Sequence, residues 1–230
     1  MRSADIIIVP ADFLKEIYVR YYNIPENNII VIHNPLPDID LCDIGAALDY
    51  SKKEKIVLFA GRFVKFKNIS RLISTFESVY DDICPARLLL VGDGPEKSNY
   101  LKQIEKSSVK ESISVINTLS HTDLFGYIRR SSLCVCPSWT EPNSNFILEC
   151  MSLGRPVLMT RSNGLSIELP EQLLFSYDDQ KELQDKMRNL LMEGFNSSLV
   201  CDLVSREAKT LSWNTLVKKY AVIFNFRFDI

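Results

Sequence analysis

The sequence predicts an α/β fold built on a parallel sheet with helices on both faces. Three observations carry that expectation. Short apolar runs alternate with longer stretches whose apolar residues recur at helical spacing. The runs are short and mostly apolar, as in strands covered on both faces. Glycine turns close them, at Gly61 and at Gly92-Asp93-Gly94-Pro95. With 230 residues and 46% hydrophobic content, the chain has enough apolar side chains for a core in one or two domains.

The elements follow in order. Residues 4–9 read as a strand, Ala11 to Tyr22 as a helix, and Asn23-Ile24-Pro25 as a turn into a second strand, Ile29–Ile32. The polar, aperiodic residues 36–54 read as a linker. The strand Ile56–Ala60 ends in Gly61, and Leu72, Ile73, Phe76 and Val79 define a helix from Ile69 to Tyr80. Strand Arg87–Val91 precedes a helix, Glu96–Lys106, that opens just past Pro95. Strand Ile113–Ile116, helix Thr122–Arg130, strand Leu133–Cys136, helix Asn145–Leu153 and strand Pro156–Met159 come next. Gly154-Arg155-Pro156 reads as a helix end and turn. After strand Leu173–Phe175 come helices Asp179–Met192, Ser197–Leu211 and Trp213–Phe224. The front strand–helix unit cannot bury its own apolar face. It must dock on the main domain or be the tail of another one.

Several classes of function are disfavoured. A net charge of −2, with basic residues mostly single, offers no general attraction to nucleic acid. No apolar run approaches a membrane span, and Ile6–Val9 is too short for a signal peptide. The six cysteines form no C-x-x-C pair and have no histidine at metal spacing, so they read as buried thiols and no metal site is expected. His33 and His121 lack a motif and receive no catalytic role.

Ligands of such sheets bind outside the carboxyl ends of the strands. The loops there hold most of the distinctive polar chemistry. Thr140–Glu149 sets two carboxylates, Glu141 and Glu149, across a polar loop that runs into an apolar helix. Asn143, Ser144 and Asn145 are of the kind that cap a helix, and the first backbone N–H groups with the helix dipole favour an anion. Asn145 and Glu149, four apart, share a helix face, and a carboxylate can accept two hydrogen bonds from a vicinal diol. An ordinary capped helix with a solvated glutamate fits the same residues. Gly61-Arg62-Phe63-Val64-Lys65-Phe66-Lys67 brings cations to a facing loop, where arginine can grip a phosphate through its planar fork. Gly92–Pro95 either admits a ligand to the backbone or is a tight turn.

Taken in order, these residues resemble the C-terminal half of the retaining GT-B glycosyltransferases of the glycosyl transferases group 1 family. The resemblance rests on Gly61-Arg62 with Lys67, Leu89–Pro95, Pro137-Ser138, the Glu141–Glu149 pair and Glu149–Val157. It implies a Rossmann-like domain over residues 55–211 that binds a UDP- or GDP-sugar donor. Residues 1–35 would be the remnant of an N-terminal acceptor domain, 36–54 a linker and 212–230 a C-terminal helix. Arg62 and Lys67 would hold the donor diphosphate, Glu141 the transferred sugar and Glu149 the ribose diol. Amides around Asn143, Ser144, Asn145 and Phe146 would bind phosphate, Gly61 would border the site, and Asn117 would lie against the base. No cofactor beyond the donor substrate and no metal is implied. The acceptor would be a glycan or a lipid-linked saccharide, in polysaccharide biosynthesis at the cytosolic face of a membrane, with peripheral contact at most. Alternatively, the chain is a nucleotide-sugar-binding module that needs a separate acceptor-binding domain.

Overall fold

The computed structural model describes residues 4–37 and 54–224. Most of the expected linker, 36–54, and the end of the 212–230 segment lie outside the described residues. Six strands form the main sheet: β3 (Lys55–Ala60), β4 (Ala86–Val91), β5 (Ile113–Ile116), β6 (Leu133–Cys136), β7 (Val157–Thr160) and β8 (Leu174–Phe175). Every neighbouring pair is parallel, in the order β5-β4-β3-β6-β7-β8. The chain therefore steps outward from β3 in one direction, returns, and continues from β6 in the other. Right-handed crossovers set α2 (Ile69–Ile83) and α3 (Lys97–Glu105) on one face, and α4 (His121–Arg130) and α5 (Asn145–Ser152) on the other. Helix α6 (Gln180–Met192) packs on α2, and α7 (Ser197–Glu207) packs on α5. This is a Rossmann-like sheet covered on both faces, and the reversal between β3 and β6 opens a crevice at their carboxyl ends.

Local chemistry explains where the elements begin and end. Helix α2 runs past the expected Tyr80 because Ile83 extends its buried stripe of Leu72, Ile73, Phe76 and Val79. It stops at Cys84, since the residue before Pro85 is pushed out of the helical region. Ser120 caps α4 by accepting from the Asp123 amide at 3.2 Å, and Asp179 caps α6 by accepting from the Glu182 amide at 2.8 Å. Helix α7 ends short of the expected Leu211, which is buried while its carbonyl accepts from the Leu36 amide at 2.9 Å. The last helix, α8 (Trp213–Ile223), starts at Ser212, whose hydroxyl accepts from the Thr215 amide. Phe59, Phe63, Phe76 and Phe175 are all fully buried in the core around this sheet. Of the thiols, Cys134, Cys136 and Cys150 are buried as expected, whereas Cys84 is exposed and Cys201 half-buried. Cys42 lies outside the described residues.

The front of the chain forms a separate two-stranded parallel sheet, β1 (Ile7–Val9) with β2 (Ile29–Val31), joined through α1 (Asp12–Tyr22). Val9, Ala11, Ile29 and Ile32 make its small core, and α1 buries none of its own residues. The unit docks on the main domain at the loop before α5. Asn34 donates to the Asn143 carbonyl at 2.7 Å, and the Asn143 amide group donates to the Pro10 carbonyl at 3.1 Å.

Candidate functional site

The loops after β3 and β4 meet at the crevice with almost no space between them. A side chain at Gly92, whose φ is +143°, would put its Cβ 2.0 Å from the Gly61 carbonyl oxygen. The Asp93 carbonyl accepts from the Phe63 amide at 2.8 Å. Gly92–Pro95 is thus a turn whose glycines let two strand-end loops interlock. Beside them lies a cavity of about 370 Å³ bounded by Gly61 and Arg62, by Gly92 and Asp93, by Thr118 and Leu119, and by His121, Phe146 and Glu149.

Glu149 lies deep in this cavity, 5% exposed, on the second turn of α5. Burial raises its carboxyl pKa, and the neighbouring His121 opposes that rise. The Glu149 Oε1 atom lies 3.2 Å from His121 Nδ1. Phe146 and Glu149, three apart, are the two α5 side chains that line the cavity. Asn145 does not share that orientation: its Oδ1 accepts from Asn34 Nδ2 at 2.9 Å, toward the front unit.

The second carboxylate has another environment. Glu141 Oε2 accepts from Lys67 Nζ at 2.5 Å and from the Ser138 hydroxyl at 2.9 Å. The two charged side chains are 14% and 11% exposed. Cys136 Sγ lies 3.9 Å from the same oxygen, and burial, then the Glu141 charge, push its thiol pKa up to about 11. It therefore stays protonated and can only donate to the carboxylate. The Glu141 backbone is clamped as well, its amide donating to the Ser162 carbonyl at 3.1 Å and its carbonyl accepting from Gly164 at 2.8 Å. Next to Lys67, the exposed Phe66 and Trp139 are joined through a 2.9 Å bond from the Trp139 amide to the Phe66 carbonyl.

Between the two carboxylates lies the start of α5. Ser144 occupies the N-cap position, yet its hydroxyl accepts no helix amide. The expected capping residue is thus present without the capping bond, and the first-turn N–H groups keep their capacity for another acceptor. Together with the dipole of the helix, they make a suitable seat for an anion.

Of the residues predicted for the site, Gly61, Arg62, Phe146 and Glu149 share one cavity, and Lys67 pairs with Glu141. Asn117 does not turn into the cavity. It is exposed, and its Oδ1 accepts from Lys97 Nζ at 2.7 Å, while Thr118 and Leu119 line the wall. Asn143 is buried and turned to Pro10 and His33. His121 received no role from the sequence, and Ser138 entered only as part of the Pro137-Ser138 motif, without a role of its own. The Ser120-x-x-Asp123 capping pattern could have marked His121 as the first residue of a helix entered from a strand-end loop. Ser138 stands three residues before Glu141, close enough for a local bond. Among the described residues, no group of His, Cys, Asp and Glu side chains is arranged to hold a metal ion. The one D-x-D triplet in the sequence, Asp38-Ile39-Asp40, lies outside the described residues. The expectation of a metal-free reaction therefore rests on the resemblance alone.

Fold and crevice define a Rossmann-like α/β domain with cations, carboxylates and a helix mouth gathered at its switch point. The family described as glycosyl transferases group 1 matches residues 54–193, more than half of the sequence. The chain belongs to this family. A D-inositol 3-phosphate glycosyltransferase of Corynebacterium glutamicum is 23% identical over 241 residues, covering 97% of this chain and 57% of that protein. A sulfoquinovosyl transferase of Arabidopsis thaliana is 25% identical over 173 residues, covering 73% of this chain and 32% of that protein. Among solved structures, Anabaena HepE in complex with UDP and glucose superposes with a TM-score of 0.80 at 17% identity. That superposition covers 97% of this chain and 64% of HepE, and it shows that the two share a fold. The chain thus spans less than two thirds of each of these relatives. No helix among the described residues is long and apolar enough to cross a membrane.

Proposed function

We propose that this chain is the donor-binding, C-terminal half of a retaining glycosyltransferase that takes a UDP- or GDP-sugar. The reading is carried by one observation: Glu149 and the Lys67–Glu141 pair flank the uncapped start of α5, with Arg62 beside them on the facing loop. Glu149 accepts the ribose diol at the bottom of the cavity. Arg62, Lys67 and the first-turn amides of α5 around Asn143–Phe146 neutralise the diphosphate. Glu141 meets hydroxyls of the transferred sugar, which forces Lys67 and Glu141 to share their bond with the donor. The acceptor oxygen bonds to the anomeric carbon on the face that the diphosphate leaves, and its proton passes to the departing phosphate oxygen. Fixed cations and amides supply the stabilisation that this charge needs, and, as the resemblance implies, the reaction uses no metal or other cofactor.

The acceptor, a glycan or lipid-linked saccharide, is bound by a further domain of which residues 1–35 are the end, with 36–54 the linker and 212–230 a closing helix. Exposed Ile6, Ile17, Tyr21 and Tyr22 on the front unit favour such a neighbour. The setting is glycan assembly at the cytosolic side of a membrane, touched only peripherally. The same exposed side chains support the alternative of a binding module that acts with a separate acceptor-binding chain.

Calorimetric titration with UDP, GDP and ADP, alone and as sugar conjugates, tests the donor reading, which fails if none binds at millimolar concentration. Glu149→Ala is expected to weaken nucleoside and nucleotide alike, and Arg62→Ala only the phosphorylated ligands. Equal losses on both ligand types would refute the assigned roles.

A further inference from the structure

Across the cavity, the His121 imidazole lies 3.2 Å from the Glu149 carboxylate, within hydrogen-bond reach. The two partners differ in freedom. The Glu149 side chain is 6% exposed and held by α5, whereas the His121 side chain is 80% exposed at the first position of α4. One partner can swing into water and the other cannot. Two of the charged groups around them are already engaged. Asp123 on α4 accepts from the Ser120 hydroxyl at 2.6 Å, and Asp93 on the β4 loop is paired with Lys97 at 2.8 Å. Arg62 on the β3 loop faces the same cavity. The Cys150 thiol of α5 and the Cys134 thiol of β6 are buried, and burial raises the Cys150 pKa well above the usual range.

We propose that His121 is a latch on Glu149: it holds the carboxylate oxygen that a ribose diol would take, so nucleotide binding and protonation of His121 oppose each other. The inference rests on the reading of Glu149 as the diol acceptor. An imidazole changes charge between about pH 5 and 8. Protonated, it gives the carboxylate a charge-assisted bond that the diol must displace; neutral, it holds more weakly and turns out into solvent at little cost. Nucleotide affinity therefore rises as the imidazole loses its proton. A supporting role, in which His121 merely keeps the buried Glu149 ionised for the ligand, predicts the opposite effect of removing it.

The experiment compares the full chain with His121→Ala, titrating UDP, GDP and ADP and the 2′,3′-dideoxy form of whichever binds, at pH 6 and pH 8. The variant is expected to bind the ribonucleotide about fivefold tighter than wild type at pH 6, and equally at pH 8, since one partner of the pair stands in water. The dideoxy form should bind both proteins weakly, with no difference between them. Phosphate titration cancels in the ratio of variant to wild type. If the diol matters but His121→Ala is no tighter, or weaker, at pH 6, the latch is wrong and the Glu149 reading stands. If the dideoxy form binds as well as the ribonucleotide, or no nucleotide binds, the diol reading fails and takes the latch with it.

Discussion

Lys67 and Glu141 come from positions far apart in the chain and meet in a bond of 2.5 Å, with their side chains 14% and 11% exposed. Two charges so poorly hydrated depend on each other, because either one alone would be left in a place that water hardly reaches. Lys67→Met and Glu141→Gln should therefore each lower stability by about 2 kcal/mol, less than for a fully buried pair. The double variant should lose clearly less than the sum, since neither charge is then stranded. Urea unfolding midpoints with an unchanged slope would measure this, and strict additivity would show that the pair is not coupled. The same pair marks a limit of sequence reading. Arg62 and Glu149 were legible because each stands at a recognisable place, just past a strand-ending glycine and one turn into a helix. The Lys67–Glu141 bond was not legible, because it needs β3 to lie beside β6, and nothing local in either segment specifies that neighbour. His121 was missed for a similar reason, its partner being on another helix.

At the scale of elements, β5 and β6 lie where the apolar runs put them, and most other ends differ by a few residues. Hydrophobic period and turn chemistry are local, so they survive folding. The discrepancies arise where tertiary contacts intervene: β1 pairs over only three residues, and Leu211 leaves its helix for the core. The clearest tertiary contact between elements is at Gly164. A Cβ there would lie 2.0 Å from the Pro142 carbonyl oxygen, 2.6 Å from the Ala11 Cβ and 2.8 Å from the Phe13 ring. Two of these atoms belong to the front unit and one to the loop that carries Glu141, so this glycine lets three segments meet. Gly164→Ala cannot be absorbed by one flexible side chain, and it should cost about 1–3 kcal/mol as overpacking. The strain is expected to push the front unit off the main domain. Limited proteolysis should then cleave within residues 4–37 faster in the variant while the main sheet stays intact. An unchanged cleavage pattern would mean that the loop yields instead.

For the whole molecule, the strand order explains why the site lies where it does. Leaving β3 in both directions brings the ends of β3 and β6 side by side with no crossover covering them, and α5 starts at that gap. The front unit reaches the same gap, through Asn34, Asn143 and Pro10, so it adjoins the start of α5. The two parts differ in what holds them. Strands β3, β4 and β6 are buried almost throughout, whereas the front unit has two short strands and a helix with no buried residue. A two-stranded sheet is marginal by itself, and polar contacts to asparagines add little to it. Native-state hydrogen exchange should therefore separate them. Amides of α1 and β2 are expected to open at least about 2 kcal/mol more easily than those of β3 and β4, as a local unit distinct from global unfolding. Adding a nucleotide that binds at the start of α5 should protect the Asn143–Glu149 amides first. Protection of α1 equal to that of β4 before any ligand is added would show that the front unit and the sheet fold as one cooperative body.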